Sequence, residues 1–324
     1  MDTADNLTLA LWATNLAQPL NGLEAWAARV EERMAEARAE GADLLVMPEY
    51  MAEQWLSFAP AGLDATDEIA WMADRAPAAL ELLRPLVAKH GLALLAGTMP
   101  VRTAPSACEP AGTPPFRNRA YLLLPDGRVA AQDKLCLTPG EKDPAGWHLA
   151  AGDRIEVVTW RGLRLAILIC LDVELPALAS LLAPHELDLI LVPSMTEKLS
   201  GHARVFGCAK ARAVELLTTV GAVGCIGKAA ASKPRLSNTS GAAVFLPCEE
   251  ALGHRGIAAE VPPADSIDGP GPLLIARELP IGRIRALRSS GAEVWPGAWS
   301  AGHVTIAETC EPTSAPQELM SETS

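Results

Sequence analysis

Apolar and polar positions along this chain follow two periods, and the switches between them mark out its elements. Thr8 to Trp12 is an apolar-rich run of strand length. From Gly22 to Ala39, residues Leu23, Trp26, Ala27, Val30 and Met34 recur at helical spacing, while Glu31, Glu32, Arg33 and Glu36 fall on the opposite face. Gly41 stops that helix, and Asp43 to Met47 predicts a second strand. A strand, a long crossover helix and another strand imply parallel pairing. The pattern recurs with a helix over Ala76 to Lys89, closed by His90-Gly91, and a strand from Leu92 to Ala96.

Two hairpins follow. Arg119 to Leu124 and Arg128 to Lys134 flank Pro125-Asp126-Gly127, whose Asp-Gly pair supplies the turn geometry. Arg154 to Trp160 and Leu163 to Cys170 flank Arg161-Gly162. A helix over Leu175 to Leu182 then precedes a strand over Leu187 to Val192, and the same order repeats at Phe206 to Leu217 and Val220 to Ile226. Ala242 to Leu246 and Leu273 to Leu279 predict late strands. Arg102 to Pro115 and Pro262 to Pro272 are rich in turn-forming residues and predict loops. The expected architecture is α/β, two sheets flanked by helices in a single domain over 1–310, with a disordered tail over 311–324. No sequence repeat is evident.

Bulk properties narrow the function. Hydrophobic residues make up 49% of the 324 positions, charged residues 20%, and the net charge is -12. That balance supports a large core and excludes a basic phosphate-binding face, so nucleic acid is not an expected partner. The acidic start Met1-Asp2-Thr3-Ala4-Asp5 lacks signal-peptide features, and no apolar run approaches the roughly 20 residues of a membrane span. The seven cysteines (108, 136, 170, 208, 225, 248 and 310) include no C-x-x-C pair. Reduced thiols in a cytoplasmic protein, rather than disulfides or a zinc site, are expected.

Three of the strands end on chemistry. Leu44-Leu45-Val46-Met47 runs into Pro48-Glu49, Val129 to Asp133 into Lys134, and Leu165 to Ile169 into Cys170. In an open α/β sheet that edge is where ligands bind. A thiol with a pKa near ~8.5 is a poor nucleophile until deprotonated. Glu49 can accept its proton, but two unit charges 4 Å apart interact by roughly 4 kcal/mol at an effective dielectric of 20, or about three pKa units. The carboxylate alone would therefore oppose the thiolate. Lys134 is expected to reverse that penalty and, with the backbone N–H of Leu171, to stabilise the oxyanion formed on attack. Glu141, in Thr138-Pro139-Gly140-Glu141, is placed to orient substrate or water.

These segments resemble the three signature segments of the nitrilase, or carbon–nitrogen hydrolase, superfamily: Pro48-Glu49, Asp133-Lys134 with the following Thr138 to Glu141, and Ile169-Cys170-Leu171-Asp172, in order and at similar separations. Val192-Pro193-Ser194 and Ala211 to Glu215 resemble the strand and helix that follow the nucleophile there. The resemblance runs from about Thr8 to Trp299. It implies a four-layer αββα sandwich of the nitrilase type, with Glu49 as base, Lys134 as oxyanion stabiliser, Cys170 as nucleophile and Glu141 as a second, positioning carboxylate. It further implies no metal and no cofactor, and homodimers or larger homo-oligomers. Cys170-Leu171-Asp172 differs from the Cys-Trp-Glu usual in true nitrilases and looks more like the amidase side. Where several relatives that bind carboxylates place Arg, this chain has Val173 and Glu174. Glu174 is therefore expected to disfavour substrates bearing a free carboxylate.

The function expected from these residues is hydrolysis of a non-peptide C–N bond in a small amide, releasing ammonia or an amine. A nitrilase and an N-carbamoyl-amine hydrolase are alternatives. So is a non-catalytic binding or scaffold protein on this fold, which would have no chemical need for all three charged and nucleophilic residues. Asp172 reads as a favourable charge at a helix start, Arg212 and Glu215 as a structural ion pair, and Cys136, Cys208 and Cys225 as packing residues. His148 and His202 suggest a Cys–His pairing, but neither ends a buried strand.

Overall fold

The computed structural model describes residues 5–103, 112–230, 236–293, 299 and 301–307. The first half of the chain forms β1 (Leu7–Trp12), α1 (Leu23–Ala39), β2 (Leu44–Val46), α2 (Ala65–Ala73), α3 (Ala76–His90), β3 (Ala93–Arg102), β4 (Phe116–Leu123) and β5 (Val129–Asp133). The second forms α4 (Pro139–Lys142), β6 (Val158–Trp160), β7 (Leu163–Ile167), α5 (Pro176–Leu182), β8 (Leu189–Ser194), α6 (Leu199–Glu215) and β9 (Thr219–Gly224). It closes with β10 (Ser240–Phe245), β11 (Ile257–Ala264), β12 (Leu273–Leu279) and α7 (Ile281–Ser289). Two 3₁₀ segments, Met51–Phe58 and Cys170–Glu174, complete the parts that matter here.

The strands make two six-stranded sheets, ordered β12-β1-β2-β3-β4-β5 and β11-β10-β9-β8-β7-β6. In the first, β1, β2 and β3 pair in parallel and all other pairings are antiparallel. In the second, β7, β8 and β9 take the parallel places. The two sheets thus share one pairing pattern although their sequences do not repeat.

Alternation along the strands decides what each face buries. Leu7, Leu9 and Leu11 of β1, with Leu44 and Val46 of β2, pack between the sheets. Ala10, Trp12 and Leu45 point the other way, onto Trp26, Val30 and Met34 of α1 and Leu83 and Val87 of α3. On the far side, Val205, Phe206, Ala209 and Ala213 of α6 cover the second sheet. Full burial of each such large side chain contributes about 1.5–3 kcal/mol. Gly221 of β9 lets the sheets approach closely, since a Cβ there would lie 2.7 Å from Leu9.

The expected order of helices and strands and both hairpins are present. Arg161 and Gly162 turn the second hairpin with φ of 50° and 74°, the pair of positive values that matches strand twist. Boundaries differ where side chains intervene. β6 begins at Val158, not Arg154, because Gln132 captures the Arg154 carbonyl and the Glu156 N–H and leaves that stretch outside the ladder. α6 begins at Leu199, seven residues before the expected Phe206; Ser200 and Gly201 are weak helix formers and disguised its first turns. β11 enters the expected loop over Pro262 to Pro272 and ends at Ala264. It lies at a sheet edge, where proline is tolerated. The helices α2, α4 and α7, the strand β11 and the 3₁₀ segment at Met51–Phe58 were not expected. Most of the Arg102 to Pro115 loop, the 311–324 tail, Cys108 and Cys310 lie outside the described residues.

Candidate active site

Glu49 follows β2 and Lys134 follows β5. Two antiparallel steps, β3 to β4 and β4 to β5, restore the strand direction, so both residues leave the first sheet at the same edge. Between them β3 bulges at Gly97. Its φ is 67°, and a Cβ would sit 2.1 Å from the Pro48 carbonyl oxygen, so only glycine lets the Pro48-Glu49 turn lie against the strand. Thr98, the next residue, accepts the Tyr50 N–H at 2.8 Å and fixes the far side of the turn.

Cys170 arrives from the second sheet, three residues past β7, with a left-handed φ of 49°. Holding a non-glycine residue there costs about 1 kcal/mol or more. Asp172 supplies the restraint. Its fully buried carboxylate accepts N–H groups from Ile169 at 3.2 Å, Leu135 at 3.2 Å and Cys136 at 2.7 Å. One side chain therefore ties the thiol's turn to the segment just after Lys134. Burial lifts the Asp172 pKa to about 6 even against those three donors. Arg212, on α6, donates to the Val173 carbonyl at 3.0 Å and pairs with Glu215, as the structural reading anticipates.

The structure brings Glu49, Lys134, Glu141 and Cys170 together. Lys134 Nζ lies 2.8 Å from Glu49 Oε1 and 2.9 Å from Glu141 Oε1, with Lys134 and both carboxylates buried. Glu141 is further held by the Tyr50 hydroxyl at 2.5 Å and the Thr138 N–H at 2.8 Å. Thr138 and Glu141 cap α4 reciprocally, so the loop after Lys134 is folded around this carboxylate. The Cys170 thiol reaches toward the Met195 carbonyl at 3.7 Å.

Electrostatics separates the two carboxylates. Burial raises the Glu49 pKa to about 7, Lys134 pulling it down and Glu141 pushing it up. Glu141 is buried too, yet Lys134 and the donors from Tyr50 and Thr138 bring it below the usual carboxylate range. For Lys134, burial works against the charge, but the two carboxylates outweigh it and hold the ammonium. Burial, reinforced by Glu49, pushes the Cys170 thiol well up; Lys134 opposes this but does not prevail. The expectation that Lys134 reverses the penalty on the thiolate is thus not met at rest. The ammonium is shared with Glu141, and desolvation is the larger effect.

These groups open onto a cavity of about 960 Å³, within the range of small-molecule sites. Leu171 and Glu174 line it, as do Tyr50 and Trp147, whose rings lie 4.4 Å apart. Glu174 is paired with Arg204 of α6 at 3.2 Å, a partner the sequence reading did not consider. His148 and His202 do not line the cavity; His202 packs on Phe206 and meets Ser240 Oγ at 3.1 Å. Cys225 is buried with its thiol donating to the Glu49 carbonyl at 3.2 Å, while Cys136 and Cys208 are half-buried. Among the described residues, no group of three or more His, Cys, Asp or Glu is placed to hold a metal ion, and no helix is long and apolar enough to cross a membrane. Sequence reasoning missed Asn118, Tyr50 and Arg204. Only Asn118 left a signal, a polar residue in step with Ala120 and Leu122 on the inward face of its strand.

Two mixed sheets with helices on their outer faces, and a thiol, an ammonium and two carboxylates where their strands end, define an α/β sandwich of the nitrilase type. The chain belongs to the carbon–nitrogen hydrolase family, whose model matches residues 10–243. It is 33% identical over 146 residues to a probable hydrolase, YhcX, of Bacillus subtilis (strain 168), a match covering 45% of this chain and 28% of that protein. It is 35% identical over 77 residues to an (R)-stereoselective amidase of Pseudomonas sp, covering 24% of this chain and 27% of that one. The matches thus span under a third of either curated relative. Among solved structures, an amidase from Nesterenkonia sp. superposes with a TM-score of 0.62 at 24% identity, covering 88% of this chain and 94% of that one. A mutant of the amidase from Nesterenkonia sp. AN1, with the acetamide moiety of fluoroacetamide added covalently at its active-site cysteine, gives a TM-score of 0.61 at 23% identity over 86% and 92% of the two chains.

Proposed function

We propose that this protein hydrolyses the C–N bond of a small non-peptide amide through a thioester on Cys170. The observation that carries the reading is the convergence of Glu49, Lys134, Glu141 and Cys170 at the floor of one cavity. The amidases named above support it by analogy of fold.

The resting thiol is neutral, so attack and deprotonation occur together. Cys170 Sγ bonds to the amide carbon as Glu49 takes the thiol proton. The carbonyl oxygen becomes an oxyanion, stabilised by Lys134 and by the backbone N–H of Leu171. The intermediate collapses, the C–N bond breaks, and Glu49 gives its proton to the departing nitrogen, releasing ammonia or an amine. Water then attacks the thioester while Glu49 takes one of its protons. The C–S bond breaks, the acid leaves, and the proton returns to Cys170. Glu141 stays ionised throughout and keeps Lys134 charged and in place.

Cys170→Ala tests the reading directly. Turnover of a panel of amides, nitriles and carbamoyl-amines, followed by ammonia release, is expected to vanish while the thermal unfolding midpoint barely moves. Mass spectrometry is expected to find an acyl adduct on Cys170 of the unsubstituted protein. Turnover at the ordinary rate in well-folded Cys170→Ala removes the nucleophile assignment.

A further inference from the structure

Asn118 lies on β4, the strand between β3 and β5, and is completely buried. Its backbone carbonyl accepts the Lys134 N–H at 2.9 Å. Its side-chain Nδ2 donates to Glu49 Oε1 at 2.9 Å and reaches Glu141 Oε1 at 3.4 Å. Lys134 Nζ contacts both of these oxygens, and Glu141 Oε2 at 2.8 Å as well. An ammonium and an amide nitrogen therefore both bridge the two carboxylates. Reversing the amide would set its oxygen against both carboxylates, so the orientation is dictated by its partners. The other end, Oδ1, is buried without a partner, an unfavourable arrangement that an apolar side chain of the same size would avoid.

We infer that Asn118 is a positioning residue: its amide nitrogen occupies Glu49 Oε1 so that Oε2 faces the Cys170 thiol, and it shares the restraint of both carboxylates so that Lys134 keeps one N–H for the oxyanion. The inference rests on the reading of Glu49 as the base. It assigns a task to a neutral side chain that does not itself line the cavity.

The groups facing Glu49 set the direction of its effect. They are Lys134 after β5, Glu141 on α4, Cys170 after β7, and the neighbouring Tyr50 and Cys225. Of these only Lys134 is a cation. Asn118 is a second donor to the ionised form of Glu49, and losing a donor to a charged form disfavours that form.

The test is the acid limb of kcat/KM, expected near pH 7 from Glu49. Asn118→Leu keeps the branched outline of the side chain, at somewhat larger volume, and removes the donor. Its acid limb is expected to move up by about one pH unit, lowering kcat/KM about fivefold at pH 7 and little at higher pH, with KM nearly unchanged. The rate of Cys170 alkylation by iodoacetamide is expected to shift alike. Asn118→Asp, nearly isosteric, sets a third acid beside Glu49 and Glu141 and is expected to shift the limb further up; it carries the test if Asn118→Leu does not fold. An unmoved limb in the folded variants, with Cys170 still required for turnover, overturns the inference and leaves Asn118 a strand-pairing residue only. An acid limb that survives in Glu49→Gln instead overturns the reading beneath it.

Discussion

Two buried charge clusters in this molecule use the same kinds of group in opposite proportions. At the cavity floor, two carboxylates share one ammonium. On the second sheet, the single carboxylate of Asp188 is held by Arg285 and Arg288 of α7, each at 2.7 Å, and by the Arg164 N–H at 2.9 Å. Burial raises both Glu49 and Asp188 as the first effect. At Asp188 the guanidinium and amide donors outweigh it and the pKa falls. At Glu49 burial and Glu141 together win, and the pKa climbs to about 7. Deeper burial and the reversed stoichiometry of charge together separate the group raised toward neutral pH from the structural clamp.

The signs of the pH dependence differ accordingly. Asp188, depressed in the folded state, contributes stability above its unfolded pKa, and that contribution is lost as pH falls through its folded value. Glu49, raised in the folded state, contributes stability below its unfolded pKa, and that contribution is lost as pH rises through about 7. The cavity-floor cluster thus strains the fold in the pH range where Glu49 is ionised.

The largest expected effect breaks the cavity cluster. Glu49→Gln and Lys134→Ala are each expected to cost on the order of 10³-fold in kcat, and the double variant far less than the product, because the two serve one step. Independent, multiplicative losses measured by steady-state kinetics would show otherwise. Glu49→Gln is also expected to gain thermal stability relative to the unsubstituted protein more at pH 8 than at pH 5; the reverse order would contradict the sign given above.

A smaller effect is expected at the clamp. Asp188→Asn leaves Arg285 and Arg288 without their counter-ion and is expected to lower stability by about 3 kcal/mol in denaturant unfolding. It should leave the acid limb of kcat/KM in place. A shifted limb would mean that the two clusters communicate. The smallest effect lies at the cavity rim. Arg204→Ala unmasks Glu174, and discrimination against carboxylate-bearing amides is expected to rise by up to about fivefold, the ceiling set by an exposed ion pair. Unchanged relative kcat/KM would place Glu174 outside substrate recognition.

The sequence made the cavity floor more legible than its supports. Glu49 and Cys170 each follow a conspicuous apolar run and Lys134 ends a hairpin strand, so their gathering could be read from strand ends and the three signature segments. Asn118 could not, because Arg117 and Arg119 on either side make the start of β4 look like a polar loop and hide the inward alternation of Asn118, Ala120 and Leu122. Tyr50 and Arg204 were missed because each lies on a segment whose helical pattern is weak: a 3₁₀ turn in one case, the glycine- and serine-containing start of α6 in the other. The helix α2 opens on Asp64, which caps Asp67 N–H at 3.0 Å, a signal present but attached to too short a run to stand out.

Asp172 has a consequence for how this protein can change. Its one carboxylate anchors both the turn that presents the thiol and the backbone after Lys134. Neither half of the floor can be remodelled alone, since a shift in one pulls on the bond that registers the other. The exposed side chains at the mouth, Glu197, Lys198 and Ser200, stand outside that bond and are free to vary. Substitutions at the rim can therefore reshape the cavity mouth without pulling on the bonds that hold its floor together.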